Sequence, residues 1–412
     1  MTTFPRLSQL LGQPEVSAFL RGVVARQRYG NAYLFQGPPG VGKGTAALAF
    51  ARAALCDHVP GAARFAPRVA DEPSLFGDAA PATTETAAPP EGDDACGVCP
   101  ACAKSGTLQH PDLKFLFPVS GDEKESEGST FEILQAMRED PLFTFQYDKA
   151  ASIRVGQTRE LQRELAYRPF EAARRVVVVR DCDRMREDQY STLLKSIEEP
   201  GATTVWVLTT SRPSRVPATI RSRCQRVRFA PLGESVVRAF LAERAGVPEH
   251  EARILAALSG GSLARALSMR GEDALAKRNA AMALLTPALK GDAAGMWLAC
   301  QKFMNFGRTG REDLRRALEY HQLWLRDVLR ARHGASRELL TFADLEPQVR
   351  DMAASIDATE VRRRLMVLEE ALRSIDGNIT ADLTLFSTLS RVAGSRMGEN
   401  RWPTHPTARW DY

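Results

Sequence analysis

A glycine-rich stretch near the N-terminus, GPPGVGKGT at 37–45, restricts the possible folds of this chain more than any other feature. Its Gly-x-x-x-x-Gly-Lys spacing lets backbone N–H groups converge on phosphate oxygens, and the lysine neutralises the β and γ phosphates. The apolar run NAYLFQ precedes it and the alanine-rich TAALAFARAAL follows it, so the order is strand, phosphate loop, helix. The helix dipole adds to anion binding. The sequence therefore predicts an α/β fold around a phosphate-binding loop.

The predicted nucleotide-binding residues all lie in this loop and in the first turn of the following helix. They are Gly37, Gly40, Gly42, Lys43, Gly44 and Thr45. The expected ligand is ATP or ADP. The position after the lysine normally carries a serine or threonine that holds Mg²⁺, but here it is a glycine, with the threonine one place later. A glycine turn that binds nothing is the alternative interpretation.

A second buried strand normally ends in the acidic residues that hold Mg²⁺ and activate water. In VVVVRDCD, Arg180 directly follows the apolar run, and Asp181 and Asp183 come after it. A cation at the metal position would repel Mg²⁺ by roughly several kcal/mol at partly buried distances. If the register shifts by one, Asp181 becomes the metal ligand and Cys182 replaces the second acid. Either register lacks one acid, so we expect no intrinsic ATPase and find little support for Mg²⁺.

Three cysteines at C-x-x-C-x-x-C spacing can supply three thiolates to a tetrahedral zinc ion. They are Cys96, Cys99 and Cys102. Cys56, at the end of the helix after the glycine loop, is the predicted fourth ligand, with His58 or His110 as alternatives. Since no ligand position would remain open, we expect a structural Zn²⁺ site; a redox cluster is the alternative.

Composition excludes several classes of protein. With 412 residues, 44% hydrophobic and 25% charged, the chain can form two or three globular domains. It shows no secretory signal and no run of 18 apolar residues, which predicts a cytoplasmic protein without membrane contact. A net charge of +5 supports weak attraction to a polyanion and no more. Cys182, Cys224 and Cys300 are expected to be ordinary core thiols.

The pattern along the chain predicts alternating strands and helices up to about residue 230. β-Branched runs at 175–179 and 203–210, separated by a helix at 191–199, are typical of buried strands in a doubly wound parallel sheet. Low apolar content at 60–95 predicts a disordered insertion, and the acidic segment SGDEKESEGST at 120–130 predicts a mobile loop.

From residue 231 onward the pattern is helical. We predict domain boundaries at 1–230 for the nucleotide-binding domain, 231–274 for a small helical lid, and 275–398 for an all-α domain, with a flexible tail at 399–412. One amphipathic face in the third domain is formed by residues at helical spacing. They are Leu314, Leu318, His321, Leu325 and Val328.

In their order along the chain, these motifs resemble those of the AAA+ clamp-loader subunits of bacterial DNA polymerase III. The matching segments are LLGQPEV at 10–16, NAYLFQGPPGVGKG, the four cysteines with HPDL, and STLLKSIEEPGATTVWVLTTSRPSRVPATIRSRCQ at 191–225. The resemblance implies an AAA+ phosphate-loop sheet, a helical lid and a C-terminal collar through which five subunits assemble. It covers residues 4–270 well and the helical remainder weakly.

The resemblance also assigns a role to the SRC tripeptide at 222–224. In this family its arginine, here Arg223, is an arginine finger that reaches the nucleotide of a neighbouring subunit. Such a guanidinium stabilises phosphate charge in trans, even from a subunit that hydrolyses nothing itself.

Within the family, Arg180 and the GGSLARAL segment at 260–267 favour the delta prime type over the ATP-hydrolysing gamma/tau motor type. Motor subunits carry a GSxRDAL pattern, and here the arginine, Arg265, falls one place later. The implied role is to assist ATP-driven loading of the sliding clamp onto primed DNA, with gamma/tau and delta subunits as partners in the polymerase III holoenzyme. The motor subunit is the alternative, and a nucleotide kinase, suggested by GKGT, is a remote one.

Overall fold

The computed structural model divides the chain into two compact units, Met1–Val237 with Gly261–Ser268 and Arg238–Gly260 with Met269–Tyr412. The predicted lid boundaries at 231–274 remain a prediction. The structure describes residues 4–59, 92–119, 123–140, 143–145, 151–198, 203–270, 274–304, 307–376 and 381–394.

Five strands of the first unit form one sheet. They are β1 (Ala32–Gln36), β2 (Leu113–Leu116), β3 (Arg175–Val179), β4 (Thr204–Thr210) and β5 (Gln225–Arg228). The spatial order is β2-β3-β4-β1-β5, and every neighbouring pair is parallel. The central strands β1, β3 and β4 are apolar on both faces, as continuous β-branched runs require. The predicted parallel α/β sheet is confirmed.

Helices accompany the strands and continue beyond them. Up to residue 268 they are α1 (Pro14–Arg26), α2 (Lys43–Leu55), α3 (Pro100–Gly106), α4 (Glu123–Glu139), α5 (Val155–Leu165), α6 (Glu187–Glu198), α7 (Ala218–Arg223), α8 (Glu234–Glu243), α9 (Glu249–Ser259) and α10 (Leu263–Ser268). The helices predicted after the glycine loop and before β4 are thus present as α2 and α6.

Two apolar layers cover the two faces of the sheet. Successive strand residues point to opposite faces, so Tyr33 and Phe35 pack on the face that carries α2, while Leu34 packs on the other with Trp206. All four side chains are fully buried. The glycine loop follows directly from β1, and its start is therefore fixed by a strand packed on both sides.

The acidic segment at 120–130, predicted as a mobile loop, was interpreted wrongly, because α4 begins at Glu123 within it. Glutamate and lysine are good helix formers, and acidic residues are favourable in the first turn of a helix, where they interact with its dipole. A high charge content was thus mistaken for a loop signal.

Most of the insertion predicted at 60–95 lies outside the described residues, as does the predicted tail at 399–412. The last residues of the predicted insertion are described, and they pack against the N-terminal segment. The Asp94 carboxylate accepts hydrogen bonds from the backbone N–H groups of Leu7 (3.0 Å) and Ser8 (2.8 Å). Asp93 forms an ion pair with Arg21 at 2.7 Å. These contacts fasten the chain just before the cysteine-rich segment.

The second unit is helical in its described part. After residue 270 its helices are α11 (Ala274–Lys290), α12 (Ala293–Met304), α13 (Gly307–Arg332), α14 (Glu346–Ser355), α15 (Ala358–Asp376) and α16 (Ala381–Ala393). The long helix α13 buries the predicted amphipathic face from Leu314 to Val328. Among the helices that the structure describes, none has the length and apolarity needed to cross a membrane.

Candidate functional site: the phosphate loop, Arg223 and the cysteine cluster

The glycine loop connects β1 to the first turn of α2. Gly40 and Gly42 have φ values of 74° and 95°, in the left-handed region where residues with a side chain are strained. Gly42 is the N-cap of α2, and its carbonyl accepts the first helical hydrogen bond, from the N–H of Ala46 at 2.8 Å. The glycines therefore aim the N-terminus of α2 into the loop, the arrangement that the motif predicts.

Lys43 points back into its own loop. Its Nζ donates to the carbonyl oxygens of Gly37 (2.8 Å) and Pro38 and to the Ser211 hydroxyl (3.0 Å). The side chain is only 5% exposed. Burial lowers the pKa of its ammonium group to about 8, and Arg180 acts in the same direction. Loop carbonyls thus take the place that phosphate oxygens would occupy, and a nucleotide would have to displace them.

Arg180 directly follows β3, and its side chain lies against the first turn of α2. Its backbone N–H donates to the Leu116 carbonyl at 2.8 Å, which continues the pairing of β3 with β2 and fixes the register. The guanidinium stacks 3.8 Å above the Phe145 ring and lies 3.4 Å from the Asp181 carboxylate. A Cβ atom at Gly44 would collide with Nη1 of Arg180. The guanidinium of Arg180 is therefore held in place directly after β3. This agrees with the first of the two predicted registers, in which Arg180 occupies the metal position.

Asp183 does not present a free carboxylate to the loop. Its side chain is 3% exposed and accepts hydrogen bonds from the Thr210 hydroxyl (2.8 Å), the Ser211 N–H (3.3 Å) and Arg212 Nε (2.8 Å). It therefore anchors the end of β4, a role that the sequence did not reveal. With Asp181 beside Arg180 and Asp183 fully engaged, the side chains present do not fit a Mg²⁺ ion.

The segment GGSLARAL covers one side of the loop. A Cβ atom at Gly40 would collide with the Ser262 hydroxyl and crowd Ala264, whose N–H points to the Gly40 carbonyl at 3.4 Å. The Ser262 hydroxyl also accepts a hydrogen bond from the Arg265 N–H at the start of α10. The segment that departs from the GSxRDAL pattern of motor subunits thus lies directly on the phosphate loop.

Arg223 is the last residue of α7 and lies at the surface. Its Nε forms an ion pair with Glu198, at the end of α6, at 2.7 Å, and Nη1 donates to the Thr219 carbonyl at 3.0 Å. The arginine side chain is 42% exposed and that of Glu198 is 37% exposed. The guanidinium is therefore oriented by its neighbours and still open to an approaching partner.

The four predicted cysteines come together in one cluster. Cys56, Cys96, Cys99 and Cys102 have all their Sγ atoms within 4.8 Å of one another. The Cys56–Cys99 and Cys96–Cys102 distances are both 3.9 Å. A zinc ion with Zn–S bonds of about 2.3 Å needs sulfur atoms about 3.8 Å apart, so the donors fit the ion. The cluster could hold a metal ion such as zinc, and the chain after Cys56 does return to it.

Backbone N–H groups support the cysteine sulfurs. Those of Cys96, Cys99 and Cys102 donate to the Sγ atoms of Cys56, Cys96 and Cys99 at 3.3–3.4 Å. Hydrogen bonds from Cys102 and Cys99 lower the pKa of the Cys56 thiol to about 4. Hydrogen bonds to Cys56 and Cys99, together with burial, raise the pKa of the Cys102 thiol. Donors around sulfur favour the thiolate, which is the form that binds metal.

The two alternative histidine ligands lie outside this set of four. His58 Nδ1 is 3.3 Å from Cys96 Sγ, close enough to hydrogen-bond to the sulfur. His110 Nδ1 instead accepts the backbone N–H of Asp112 at 3.1 Å. The four-cysteine set is therefore the one that the geometry favours.

The HPDL segment has a structural role that the sequence did not reveal. Asp112 is fully buried, and its carboxylate accepts the backbone N–H groups of Phe170 (2.6 Å), Glu171 (2.8 Å) and Ala172 (2.8 Å). These bonds fix the turn that leads into β3. The one sequence signal for these bonds is Asp112 itself, a polar residue in a turn next to an apolar strand.

Comparisons with known proteins agree with this reading of the motifs. Residues 81–233 match the family model described as DNA polymerase III, delta subunit. DNA polymerase III subunit delta' of Bacillus subtilis is 26% identical over 370 residues, which is 89% of this chain and 92% of that protein. Subunit tau of the same organism is 24% identical over 64% of this chain and 37% of its own length.

Among solved structures, a DNA polymerase III gamma subunit-related protein of Thermotoga maritima is 16% identical, covering 92% of this chain and 98% of its own. Its TM-score of 0.38 is too low for a detailed superposition. The relationship therefore rests on the sequence matches and on the order of the motifs. In sequence, the chain is similar to DNA polymerase III delta prime subunits.

Proposed function

We propose that the chain is the delta prime-type subunit of the DNA polymerase III clamp loader and assists ATP-driven loading of the sliding clamp onto primed DNA. The observation that carries this assignment is Arg180 beside Gly44, a cation where an ATP-hydrolysing subunit needs Mg²⁺. In this proposal the chain does not hydrolyse ATP itself. The match to delta' along 89% of the chain supports it.

The proposed contribution to catalysis is Arg223, acting as an arginine finger on the ATP site of a neighbouring subunit. A guanidinium presents a planar set of N–H donors that matches phosphate oxygens. The ion pair with Glu198 orients the side chain at the end of α7 until phosphate oxygens replace the carboxylate. Half exposure of both partners makes this exchange inexpensive.

The proposed partners are gamma/tau and delta subunits in a five-subunit ring, the sliding clamp, and primed DNA through the complex. Exposed large apolar side chains on two helices of the second unit that pack against each other support assembly through that unit. They are Trp297 and Leu298 on α12 and Leu383 and Phe386 on α16, which are 40–62% exposed. Exposed large apolar side chains of this kind mark interaction surfaces. A cytoplasmic location follows from the same assignment.

The proposed ion of the cysteine cluster is a structural Zn²⁺. All four thiolates would be ligands, so no position is left for a substrate, and the ion would supply a cross-link only. It would join Cys56, at the end of α2, to α3 and thereby fasten the helix that begins at the phosphate loop. ATP or ADP at Lys43 remains a prediction.

The experiment that tests the function is ATP turnover by the reconstituted complex with a motor subunit, clamp and primed DNA. Arg223→Ala should lower the turnover rate at least tenfold, because an arginine finger contributes about 10³–10⁵ to such rates. Lys43→Ala should leave the rate within a factor of two. Arg226→Ala, which removes an exposed arginine three positions away, is the matched control. Equal rates for Arg223→Ala and Arg226→Ala would contradict the proposal.

The gamma/tau motor subunit is a second candidate, favoured by the intact Lys43 and by the match to tau. It predicts Mg²⁺-dependent turnover by the purified chain alone, abolished by Lys43→Ala. We do not propose a nucleotide kinase, because the helices after residue 231 have no role in one.

A further inference from the structure

The second unit contains a cavity of about 360 Å³ that the proposed function does not use. Helices α11, α13, α14, α15 and α16 contribute its wall, which is mostly apolar. Six of the apolar lining residues are Met282, Leu285, Leu289, Trp324, Leu325 and Leu368. The volume is within the range of about 300–1,000 Å³ that is typical of small-molecule sites. The cavity is therefore large enough for a ligand rather than for a single water molecule.

Among the described residues that line this cavity, Arg364 on α15 is the one with a charged side chain. Only 6% of the residue is exposed. Its Nε donates to Glu360 at 2.7 Å, but the same carboxylate also accepts two hydrogen bonds from Arg363. In the part of the chain that the structure describes, the terminal nitrogens Nη1 and Nη2 of Arg364 have no hydrogen-bond partner. They are not among the fully buried nitrogens without a partner, so part of their surface is open to a ligand. Unpaired donors on a side chain with so little exposure are costly.

No other lining group in the described part of the second unit offsets or repeats this charge. The lining contains no carboxylate among the residues described. His321 is buried, and its Nε2 lies 2.8 Å from the Ala281 carbonyl, so this nitrogen carries the proton. Burial lowers the pKa of His321 to about 4, which keeps its imidazole neutral at pH 7. One carboxylate, Glu360, faces two guanidinium groups, and a single positive charge is left over beside an apolar space.

We propose that this cavity binds a small carboxylate with an apolar chain. The carboxylate would accept hydrogen bonds from Nη1 and Nη2 of Arg364, since the guanidinium presents parallel N–H donors at the spacing of two carboxylate oxygens. The chain of the ligand would lie against Leu285 and Trp324. A phosphate ester fits less well, because it would bring a second charge and more unpaired oxygens into an apolar wall.

The test is isothermal titration calorimetry of the full chain with octanoate, compared with octan-1-ol. Octanoate should bind saturably with one site per chain, and octan-1-ol, which has the same chain length without the charge, should bind at least tenfold more weakly. Arg364→Met, which keeps the length of the side chain and removes the charge, should weaken octanoate binding at least tenfold. Arg373→Met is the matched control, because Arg373 is on the same helix but 74% exposed.

Several results would overturn the inference. They are the absence of saturable octanoate binding, equal affinities for octanoate and octan-1-ol, and unchanged octanoate binding by Arg364→Met. The comparison of the two ligands uses the unmodified chain, so it decides the question even if Arg364→Met does not fold. Binding by the isolated chain also does not depend on clamp loading, and its failure is distinguishable from failure of the proposed function.

Discussion

Arg180 lies against Gly44, so close that a side chain at position 44 would collide with its Nη1 nitrogen. Two departures from the usual phosphate-loop pattern, the missing hydroxyl after Lys43 and the arginine after β3, therefore form one contact. The absence of a side chain at one position makes room for the guanidinium of the other. We therefore expect that restoring only one of the two residues will not restore a Mg²⁺ site.

The first prediction is that Gly44→Thr gives no Mg²⁺-dependent ATP turnover and destabilises the chain through Arg180. The threonine should cost more free energy of unfolding in the wild-type background than in Arg180→Ala, with a coupling of about 0.5–3 kcal/mol, as is typical of residues in contact. Denaturant unfolding of the four proteins in this cycle measures the coupling. Additive effects would mean that the two side chains do not meet.

Features with a local signal could be predicted from the sequence. The glycine loop, the central strands and the cysteine spacing are each encoded within a few neighbouring residues. The contacts that join distant segments could not be predicted from the sequence. Nothing near Asp183 indicates that it holds Arg212, and nothing near Arg364 indicates that it borders a cavity, because both depend on how separate elements pack. The prediction of a mobile loop at the start of α4 was wrong for another reason, since charge alone does not distinguish an exposed helix from a loop.

The second prediction concerns the contact between the phosphate loop and α10. Gly40→Ala should destabilise the chain by about 2–4 kcal/mol, because it combines left-handed backbone strain of about 1–2 kcal/mol with overpacking against Ser262. Gly42→Ala is the matched control. Gly42 has a similar positive φ, but a Cβ there would meet nothing within 4 Å, so only the backbone strain applies. Equal losses for the two variants, measured by thermal or denaturant unfolding, would contradict the predicted packing.

The third prediction is that Cys56 is a metal ligand although the insertion separates it from the other three cysteines. The purified chain should contain one zinc ion, and Cys56→Ser should weaken zinc binding at least a hundredfold and lower the melting temperature. Elemental analysis and a competition assay with a chromogenic chelator measure both quantities. Cys300→Ser, which changes a buried cysteine of the second unit, should keep the full zinc content. Full zinc retention by Cys56→Ser would make His58, whose Nδ1 lies 3.3 Å from Cys96 Sγ, the candidate for the fourth ligand.

The fourth prediction is a loss of stability of α13 at acidic pH. Burial lowers the pKa of His321 from 6.5 to about 4, so between these values the unfolded chain binds a proton that the folded chain does not. The contribution of neutral His321 to the free energy of unfolding is complete above pH 6.5. It falls as the pH decreases towards 4, by roughly 3 kcal/mol in total. Hydrogen exchange of α13 amides, corrected for the intrinsic rate, should show this decrease.

His321→Gln should flatten this pH profile, because it removes the titrating group, although it also lowers stability at neutral pH. His250→Gln, which changes an exposed histidine, should leave the profile as steep as in the wild type. An unchanged slope in His321→Gln would assign the acid sensitivity to another group.

The last prediction separates the two roles that the Arg223–Glu198 ion pair could have. If the pair only stabilises the contact between α6 and α7, then Glu198→Gln and Arg223→Lys should have similar, small effects, since exposed pairs contribute about 0–1 kcal/mol. If Arg223 acts on the phosphates of a neighbouring subunit, Glu198→Gln should leave ATP turnover of the assembled complex within a factor of two. Arg223→Lys should then lower turnover at least tenfold, because lysine keeps the charge but loses the planar set of donors. Turnover that falls equally in both variants would place the importance of the pair in the fold of this unit rather than in phosphate recognition.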